Sequence, residues 1–474
     1  MLREGSGEAQ GRGREKAGKA PKSLLKACER GKAVKVTWGL LYYGEGFAVE
    51  GESTLKRELS LPEVTLTGIG SILGAGIYVL VGKAAGLAGN LVWFSFLFAG
   101  VTAALSALSY MELSSMYPRA GAEYEFVRRA FGERTGLLVG LLIIYVVVIT
   151  SSAVALGFGG YFSTLFGAGI LSGAIGLILA LGLIMLYGIR ESARLAILIT
   201  LIEFSGLLLI IWVGLPYLGS VDYFEATSPA GVFEASALIF FAFLGFEDIV
   251  RLSQETKDAE KTTPMALLLA IFSTVLIYVC VAVAAVSVLD FRALGTSGAP
   301  LADIAAVALG ADAFALLSWI ALFSTVNTVL VVMLGGSRII YGIADSGSLP
   351  KILARVHPRF GTPWAAISFI VVLAVAFVFL RDIATVANIS NFMIFIVFFM
   401  VNLSLIKLRY TEPEKKRPFR VPLNIGRFPL PPAIGALSTV FLFLQLSAEV
   451  MAYGFTLAGI GILAVFLKTR GRKE

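Results

Sequence analysis

Residues 61–81 read LPEVTLTGIGSILGAGIYVLV, a segment that is apolar and long enough for a transmembrane helix, which takes roughly 20 residues. Four of the nine residues from Gly68 to Gly76 are glycine. Each glycine inside a helix costs roughly 1 kcal/mol relative to alanine, and an interrupted backbone in lipid leaves polar groups unsatisfied. The pattern therefore predicts a discontinuous helix whose interruption is buried against protein, as in transporters that bind a ligand near mid-membrane.

This segment has two other interpretations. Small residues allow close packing of membrane helices, which by itself would account for Gly70 and Gly74. Glycine-rich runs also occur in dinucleotide-binding loops, but such a loop follows a β-strand, whereas this run lies inside a continuous apolar span. The nucleotide site is therefore excluded, and helix packing stays open as the alternative to a ligand site.

The composition indicates a membrane protein. Of the 474 residues, 57% are hydrophobic and 15% are charged, whereas soluble domains are about 25% charged. Cys28 and Cys280 lie far apart and His357 is the single histidine, so no metal site or disulfide framework is expected. With two distant cysteines and one histidine, the sequence also offers no nucleophile–base pair, which argues against an enzyme. The basic residues form no soluble basic domain, which argues against nucleic acid as a partner.

The hydropathy pattern predicts about 12 transmembrane helices. The predicted spans are residues 61–82, 89–116, 134–157, 164–187, 193–217, 232–252, 264–290, 312–343, 363–380, 384–408, 427–446 and 448–468. Residues 1–60 are basic and polar, and we expect them to form a cytoplasmic, disordered extension. With the N-terminus in the cytoplasm, 36 of the 39 Lys and Arg residues lie on the cytoplasmic side and three lie outside. This bias predicts that both termini are cytoplasmic.

The composition of the sixth predicted span indicates a second interruption. The run FAFLGFED places Gly245, Glu247 and Asp248 directly after an aromatic segment. Acidic residues inside a span are costly and therefore usually functional. This segment lies five helices after the first interruption, which is the spacing expected if helices 1–5 and 6–10 form inverted repeats that meet at a central site.

With both interruptions the chain resembles the amino acid–polyamine–organocation transporters, which have the LeuT-like fold. Four stretches in order carry the resemblance, which covers about residues 60–470. They are GSILGAGI at 70–77, SYMEL at 109–113 with PRAGAEY at 118–124, FAFLGFE at 241–247, and the loop after the eighth helix with GSR at 336–338, ADSGSLP at 344–350 and VHPRFGTP at 356–363.

The resemblance implies an all-α membrane protein with about 12 transmembrane helices, 5+5 inverted repeats, and interruptions in helices 1 and 6. The transporter domain spans residues 61–470. Its first repeat covers residues 61–217 and its second covers residues 232–408, and two additional helices follow at residues 427–468. The resemblance also implies a multi-pass protein of the plasma membrane, either a monomer or a homodimer.

The resemblance places an amino acid substrate between the two interruptions. The backbone N–H groups of Ala75 and Gly76 begin a half-helix, whose N-terminus attracts the substrate carboxylate. The carbonyl groups of Ile72, Phe241 and Leu244 would accept hydrogen bonds from the substrate ammonium, and Phe241 matches the aromatic gate of the family. Relatives sometimes have serine at the position of Ala75, so one side-chain hydrogen bond is expected to be absent here.

Two carboxylates are candidates for proton coupling. Glu247 matches a position at which relatives carry a carboxylate, and a structural hydrogen-bonding role is the alternative. Glu203 lies near the middle of the fifth span, where a charged carboxylate costs about 2.5–3.5 kcal/mol. Proton-coupled relatives can hold a lysine in this region, and Glu203 departs from that pattern. The coupling ion can therefore be either a proton or sodium. No other cofactor is expected.

The sequence therefore predicts a secondary active transporter that takes up neutral or apolar amino acids by alternating access, in symport with protons. An amino acid exchanger or a carrier of cationic amino acids or polyamines is the alternative within this class. A transporter-like sensor or a channel is the alternative from another class. Glu112, near the end of the second span, is expected to anchor a gate or loop rather than to bind substrate.

Overall fold

The computed structural model describes residues 59–117, 122–187, 193–251, 256–345, 349–380 and 382–470. The predicted extension, residues 1–60, lies outside this part of the chain except for Leu59 and Ser60. Residues 118–121 and 346–348 of the loop motifs also lie outside it. The described residues form an all-α protein with one short β-hairpin, as the apolar segments predict.

The helices and strands follow one another along the chain in a simple order. They are α1 (Leu61–Ile72), α2 (Ala75–Ala88), α3 (Val92–Met116), α4 (Ala122–Phe131), α5 (Glu133–Phe166), α6 (Ile170–Tyr187), α7 (Ala193–Gly214), α8 (Pro229–Ile239), α9 (Glu247–Arg251), α10 (Ala259–Val288), α11 (Phe291–Thr296), α12 (Pro300–Leu309), α13 (Ala311–Asp345), α14 (Trp364–Val378), α15 (Ile383–Thr411), β1 (Asn424–Ile425), β2 (Phe428–Pro429), α16 (Leu430–Phe443) and α17 (Ala448–Arg470).

Each of the twelve predicted spans overlaps a helix or an interrupted helix, although α5 continues to Phe166, beyond the predicted end at residue 157. By length and composition, eight helical segments in the described ranges can cross a membrane, or nine if α16 and α17, which meet at 114°, form one span. One of these segments, Ala75–Met116, combines α2 and α3. The number of 12 spans and the inverted repeat therefore stay predictions. The short helices α11 and α12 were not predicted, since neither reaches the length of a span.

The long helix α5 lies at the centre of the packing. It contacts α6, α13, α14 and α15, and most of its middle is buried. The two interrupted helices also pack in the interior: α2 contacts α8, and α1 contacts α7 and α10. An interruption placed there is shielded from lipid, which is what unsatisfied backbone groups require.

Candidate functional site

The first helix is interrupted at Leu73 and Gly74, inside the glycine-rich run. Helix α1 ends at Ile72, and α2 begins at Ala75 with Gly74 as its N-cap. The Leu73 N–H closes the first half by donating to the Ile69 carbonyl at 2.7 Å. Ala75 and Gly76 therefore form the first turn of the following half-helix.

The second interruption follows α8. Residues Phe240–Phe243 form a single 3-10 turn, Leu244 is extended with ψ 145°, and α9 begins at Glu247. Gly245 has φ +115°, a backbone conformation that is open essentially to glycine alone. Its N–H donates to Oε2 of Glu247 at 3.0 Å. The carboxylate therefore satisfies a backbone group that the interruption would otherwise leave without a partner.

The two interruptions lie against each other. A Cβ atom at Gly76 would lie 2.6 Å from Cα of Ala242, and a Cβ atom at Gly245 would collide with the carbonyl oxygen of Ser71. Both glycines therefore permit a backbone-to-backbone approach that any larger residue prevents. The site is formed by main chain from two segments about 170 residues apart, which is why no single motif describes it.

A tyrosine of α10 bridges the interruptions. The Tyr278 hydroxyl lies 2.8 Å from the Ile72 carbonyl oxygen and 3.1 Å from the Ala242 carbonyl oxygen, so one donor is shared between both halves of the site. Its fully buried ring packs edge-on against Phe96 and Phe243. Tyr278 thus holds the end of α1 next to the 3-10 turn.

The N-terminus of α2 contacts α13. The Ala75 N–H, expected to face a substrate carboxylate, donates to Oγ1 of Thr328 at 3.1 Å. The Thr328 hydroxyl in turn donates to the Ser324 carbonyl at 2.9 Å. A side-chain hydroxyl is therefore present at this helix start even though residue 75 itself is alanine.

Glu203 lies on α7 and is fully buried. Neither of its carboxylate oxygens has a hydrogen-bond partner among the described residues, and Ser324 and Asn327 of α13 are its polar neighbours. Its backbone carbonyl accepts a hydrogen bond from the Tyr78 hydroxyl, and the Tyr78 carbonyl accepts one from Tyr161 at 2.7 Å. Glu203 is thus attached to α2 one turn beyond Ala75, while its carboxyl group is oriented toward α13.

The aromatic run of the second interruption divides into packing residues and one exception. Phe240 packs on Phe395 and Phe398 with ring centroids 4.9 and 5.7 Å apart, and Phe246 packs on Phe398 at 5.3 Å. Phe241 is also buried, yet its ring contacts no other aromatic ring in the described ranges. Among the phenylalanines of residues 240–246, Phe241 is therefore the residue whose ring is not held by contact with another described aromatic ring.

The structure brings five of the predicted residues together, because Ile72, Ala75, Gly76, Phe241 and Leu244 all belong to the two facing interruptions. Glu247 begins the half-helix after the second interruption, whereas Glu203 belongs to a different helix and reaches the site through α2 and α13. The roles of these residues stay predictions.

Sequence reasoning missed Tyr278 and Thr328. Each is a hydroxyl-bearing residue within a long apolar helix, and a buried hydroxyl group must find a hydrogen-bond partner. That signal was available in the sequence, but it does not say which backbone group the hydroxyl reaches.

Comparison with known proteins identifies relatives over almost the whole transporter domain. The family model described as amino acid permease matches residues 59–465. A branched-chain amino acid permease of Bacillus subtilis (strain 168) is 30% identical over 89% of this chain and 95% of its own length. A methylthioribose transporter of the same organism is 29% identical over 88% of this chain and 94% of its own length. A vacuolar cationic amino acid transporter of Arabidopsis thaliana is 28% identical over 77% of this chain and 65% of its own length.

Proposed function

Because the chain belongs to the amino acid permease family, we propose that it takes up neutral or apolar amino acids across the plasma membrane by alternating access, in symport with protons. Its termini lie in the cytoplasm in this proposal, which rests on the distribution of Lys and Arg. The relatives are transporters, and a multi-pass membrane protein with a small-molecule substrate follows from membership of their family.

The observation that carries the proposal is the contact between the two helix interruptions at Gly76 and Ala242. An amino acid has a carboxylate and an ammonium group at one carbon, so its binding site needs backbone donors and acceptors side by side. At the start of α2 the Ala75 N–H donates to Thr328, which leaves the Gly76 N–H as the donor for the carboxylate, and the helix dipole favours an anion there. The carbonyl groups of Ile72, Phe241 and Leu244 offer acceptors. The Ile72 carbonyl also accepts from Tyr278, but a carbonyl oxygen has two lone pairs and accepts a second bond.

An apolar substrate side chain fits the residues around the interruptions. Ile72, Ala75, Phe241 and Leu244 present aliphatic or aromatic side chains. A cationic side chain would need a buried counter-ion beyond Glu203 and Glu247, and Ile72, Ala75, Phe241 and Leu244 supply none. The relative named as a branched-chain permease agrees with this preference, whereas the relative named as a cationic transporter favours the alternative.

Proton coupling is assigned to Glu203 in this proposal. Transfer of a carboxylate into an apolar interior disfavours its charged form, and the polar neighbours of Glu203, Ser324 and Asn327, carry no charge that would offset it. Two connections link Glu203 to the substrate region. Its backbone carbonyl holds Tyr78 of α2, and its carboxyl group neighbours Ser324, whose carbonyl accepts from the hydroxyl that holds Ala75. A change in its protonation therefore acts next to the N-terminus of α2.

Alternating access requires the gate to move while the site stays assembled. Phe241 suits a gate because none of the aromatic rings that the structure describes contacts it, whereas Phe240 and Phe246 pack against other rings. Tyr278 suits a pivot, since its hydroxyl can move its hydrogen bond between the Ile72 and Ala242 carbonyl oxygens, which lie 2.8 and 3.1 Å away.

Uptake into proteoliposomes tests the proposal. Labelled leucine should accumulate when the outside is acidic, and replacing sodium with choline should leave the rate unchanged. Unlabelled lysine in excess should not compete. Competition by lysine but not by leucine would move the assignment to a cationic amino acid carrier. Uptake that requires unlabelled amino acid inside the vesicle would indicate an exchanger. Uptake that requires sodium and ignores pH would contradict proton symport.

A further inference from the structure

A basic pocket lies away from the helix interruptions, at the end of α15 and the hairpin that follows. Its volume is about 370 Å³, and it is lined by Arg409, Pro413, Lys415, Arg417, Arg420 and Arg427. Five of these six residues are cationic. These five cations therefore line one shared volume, formed by the end of α15 and the segment that follows it.

The base of the pocket is fixed by Glu112 of α3, which is fully buried. Nε of Arg409 donates to Oε1 of Glu112 at 3.0 Å, and Nε of Arg417 donates to the same oxygen at 3.1 Å. The Val421 N–H donates to Oε2 at 2.8 Å. Glu112 thus anchors a loop, as the sequence indicated, and it connects α3, α15 and the segment after α15.

Arg417 also donates hydrogen bonds to backbone carbonyl groups at the C-terminus of α15. One of its terminal nitrogens donates to the carbonyl groups of Leu408 and Glu412 at 3.0 Å each, and the other donates to the Lys415 carbonyl at 3.0 Å. These carbonyl groups lie in the last turn of α15 and just beyond it, where a helix supplies too few donors of its own. The donors of Arg417 are therefore used within the protein, and the pocket is formed before any ligand binds.

Arg420 and Arg427 are different. Both are exposed, and neither makes an ion pair with any described residue. Lys415 lies over the ring of Tyr117 at 3.8 Å and pairs with Glu412 at 3.5 Å, while Glu412 also accepts from the Tyr117 hydroxyl at 2.7 Å. Three of the five cations that line the pocket, Arg409, Arg417 and Lys415, pair with the carboxylates of Glu112 and Glu412, which leaves Arg420 and Arg427 for an outside partner.

Apolar side chains flank the two exposed arginines. Leu423 and Ile425, next to and within β1, are 71% and 67% exposed. Arg427 lies in the same hairpin, and Arg420 lies three residues before Leu423. Exposed apolar residues beside unpaired guanidinium groups suit the boundary between headgroups and acyl chains of a membrane.

We propose that this pocket binds a phosphate group, with Arg420 and Arg427 as its direct ligands on the base formed by Arg409 and Arg417. Guanidinium groups recognise phosphate through paired, charge-assisted hydrogen bonds. The phosphate belongs either to the headgroup of an anionic lipid or to a soluble phosphate compound, and the two sources are separable by experiment.

The test uses the full chain in detergent and counts bound lipid by native mass spectrometry. Wild-type protein should retain one phosphatidylglycerol in preference to phosphatidylcholine. The Arg420→Gln/Arg427→Gln variant should bind phosphatidylglycerol about 10- to 30-fold more weakly, since each basic residue contributes about 1 kcal/mol toward an anionic surface. Lys351→Gln/Arg355→Gln is the matched control: it removes two exposed charges from another loop predicted to lie on the same side, and it should bind as wild type does.

A second arm titrates inorganic phosphate and pyrophosphate and follows thermal unfolding. Stabilisation that disappears in the Arg420→Gln/Arg427→Gln variant, without selective lipid binding, would assign the pocket to a soluble phosphate compound. Equal binding of the two lipids together with no phosphate effect would overturn the proposal. Equal losses in the test and control variants would also overturn it, because they would reflect the basic charge of the whole face.

Discussion

Gly76 of the second half-helix lies directly against Ala242 of the 3-10 turn, with room for no Cβ atom between them, since such an atom would come within 2.6 Å of the Ala242 Cα atom. The neighbour is backbone, so it cannot rotate away as a flexible side chain would. Gly76→Leu should therefore abolish substrate binding and transport while membrane insertion is retained. Labelled leucine uptake, normalised to the amount of inserted protein, measures the effect.

Gly176→Leu is the control for this variant. Gly176 is an exposed residue of α6, and no atom lies within 4 Å of the position that a Cβ atom would take, so the same substitution meets open space. Normal uptake by Gly76→Leu would contradict the placement of the site. A loss of inserted protein common to both variants would point to a general effect on the fold.

Tyr278→Phe removes the hydroxyl that lies between the two interruptions but keeps the ring against Phe96 and Phe243. A typical hydrogen bond contributes about 0.5–1.5 kcal/mol to stability, so thermal unfolding should shift only modestly. The transport rate should fall more than stability does, because the two interruptions lose their shared donor. Tyr453→Phe, at an exposed position, should change neither quantity. An unchanged transport rate in Tyr278→Phe would show that the Tyr278 hydroxyl does not act as a pivot.

Phe241→Ala should lower the transport rate while the amount of inserted protein stays near that of wild type. Phe241 has no aromatic neighbour in the described ranges, whereas Phe240 packs on Phe395 and Phe398, so removal of the Phe241 ring breaks no aromatic contact. Phe272→Ala is the control, since that ring is 69% exposed on α10. A transport rate equal to wild type in well-inserted Phe241→Ala protein would show that this ring does not gate the site.

Glu112→Ala should destabilise the protein strongly, because it leaves Arg409 and Arg417 without their buried counter-ion. Breaking a buried pair by removing one partner costs about 3–5 kcal/mol. Thermal unfolding in detergent measures the loss. Glu449→Ala, at an exposed position of α17, should have little effect. A small change in Glu112→Ala would mean that the loop after α15 is held by other contacts.

The interruptions were predictable from the sequence because glycine weakens a helix wherever the helix lies. The glycine-rich run located the first interruption between Ile72 and Ala75, and Gly245 located the second. The partners of the freed backbone groups were not predictable. A hydroxyl group such as that of Thr328 serves its own helix or a distant segment equally well, and only the packing of α13 on α2 selects Ala75.

The same limit applies to the acidic residues. The sequence indicated that Glu203 and Glu247 both lie within spans, where either carboxylate is costly and therefore a candidate for proton coupling. In the structure Glu247 accepts a hydrogen bond from the interrupted backbone, whereas the Glu203 carboxylate has no such partner among the described residues. Glu203 and Glu247 have similar sequence contexts but different surroundings in the structure. We therefore expect their substitutions to have different effects on transport.

Glu203→Gln is the decisive variant for proton coupling. The amide resembles the protonated carboxyl group in shape and removes its titration, while the backbone carbonyl that holds Tyr78 is unaffected. Net leucine uptake driven by a pH gradient should collapse, because the carrier can no longer load a proton outside and release it inside. Exchange of labelled for unlabelled leucine should persist, since exchange needs no deprotonation. Both activities are measured in the same proteoliposomes.

Glu247→Gln tests the second candidate for proton coupling, and its side-chain carbonyl can still accept the hydrogen bond of the Gly245 N–H. This variant should retain both gradient-driven uptake and exchange. If Glu247→Gln loses gradient-driven uptake and Glu203→Gln keeps it, Glu247 rather than Glu203 is the residue that couples transport to protons. If uptake and exchange fall together with folding yield in Glu203→Gln, Glu203 is a structural residue. Another group must then carry the proton, because substitution of the coupling residue is expected to abolish net uptake and to leave exchange intact.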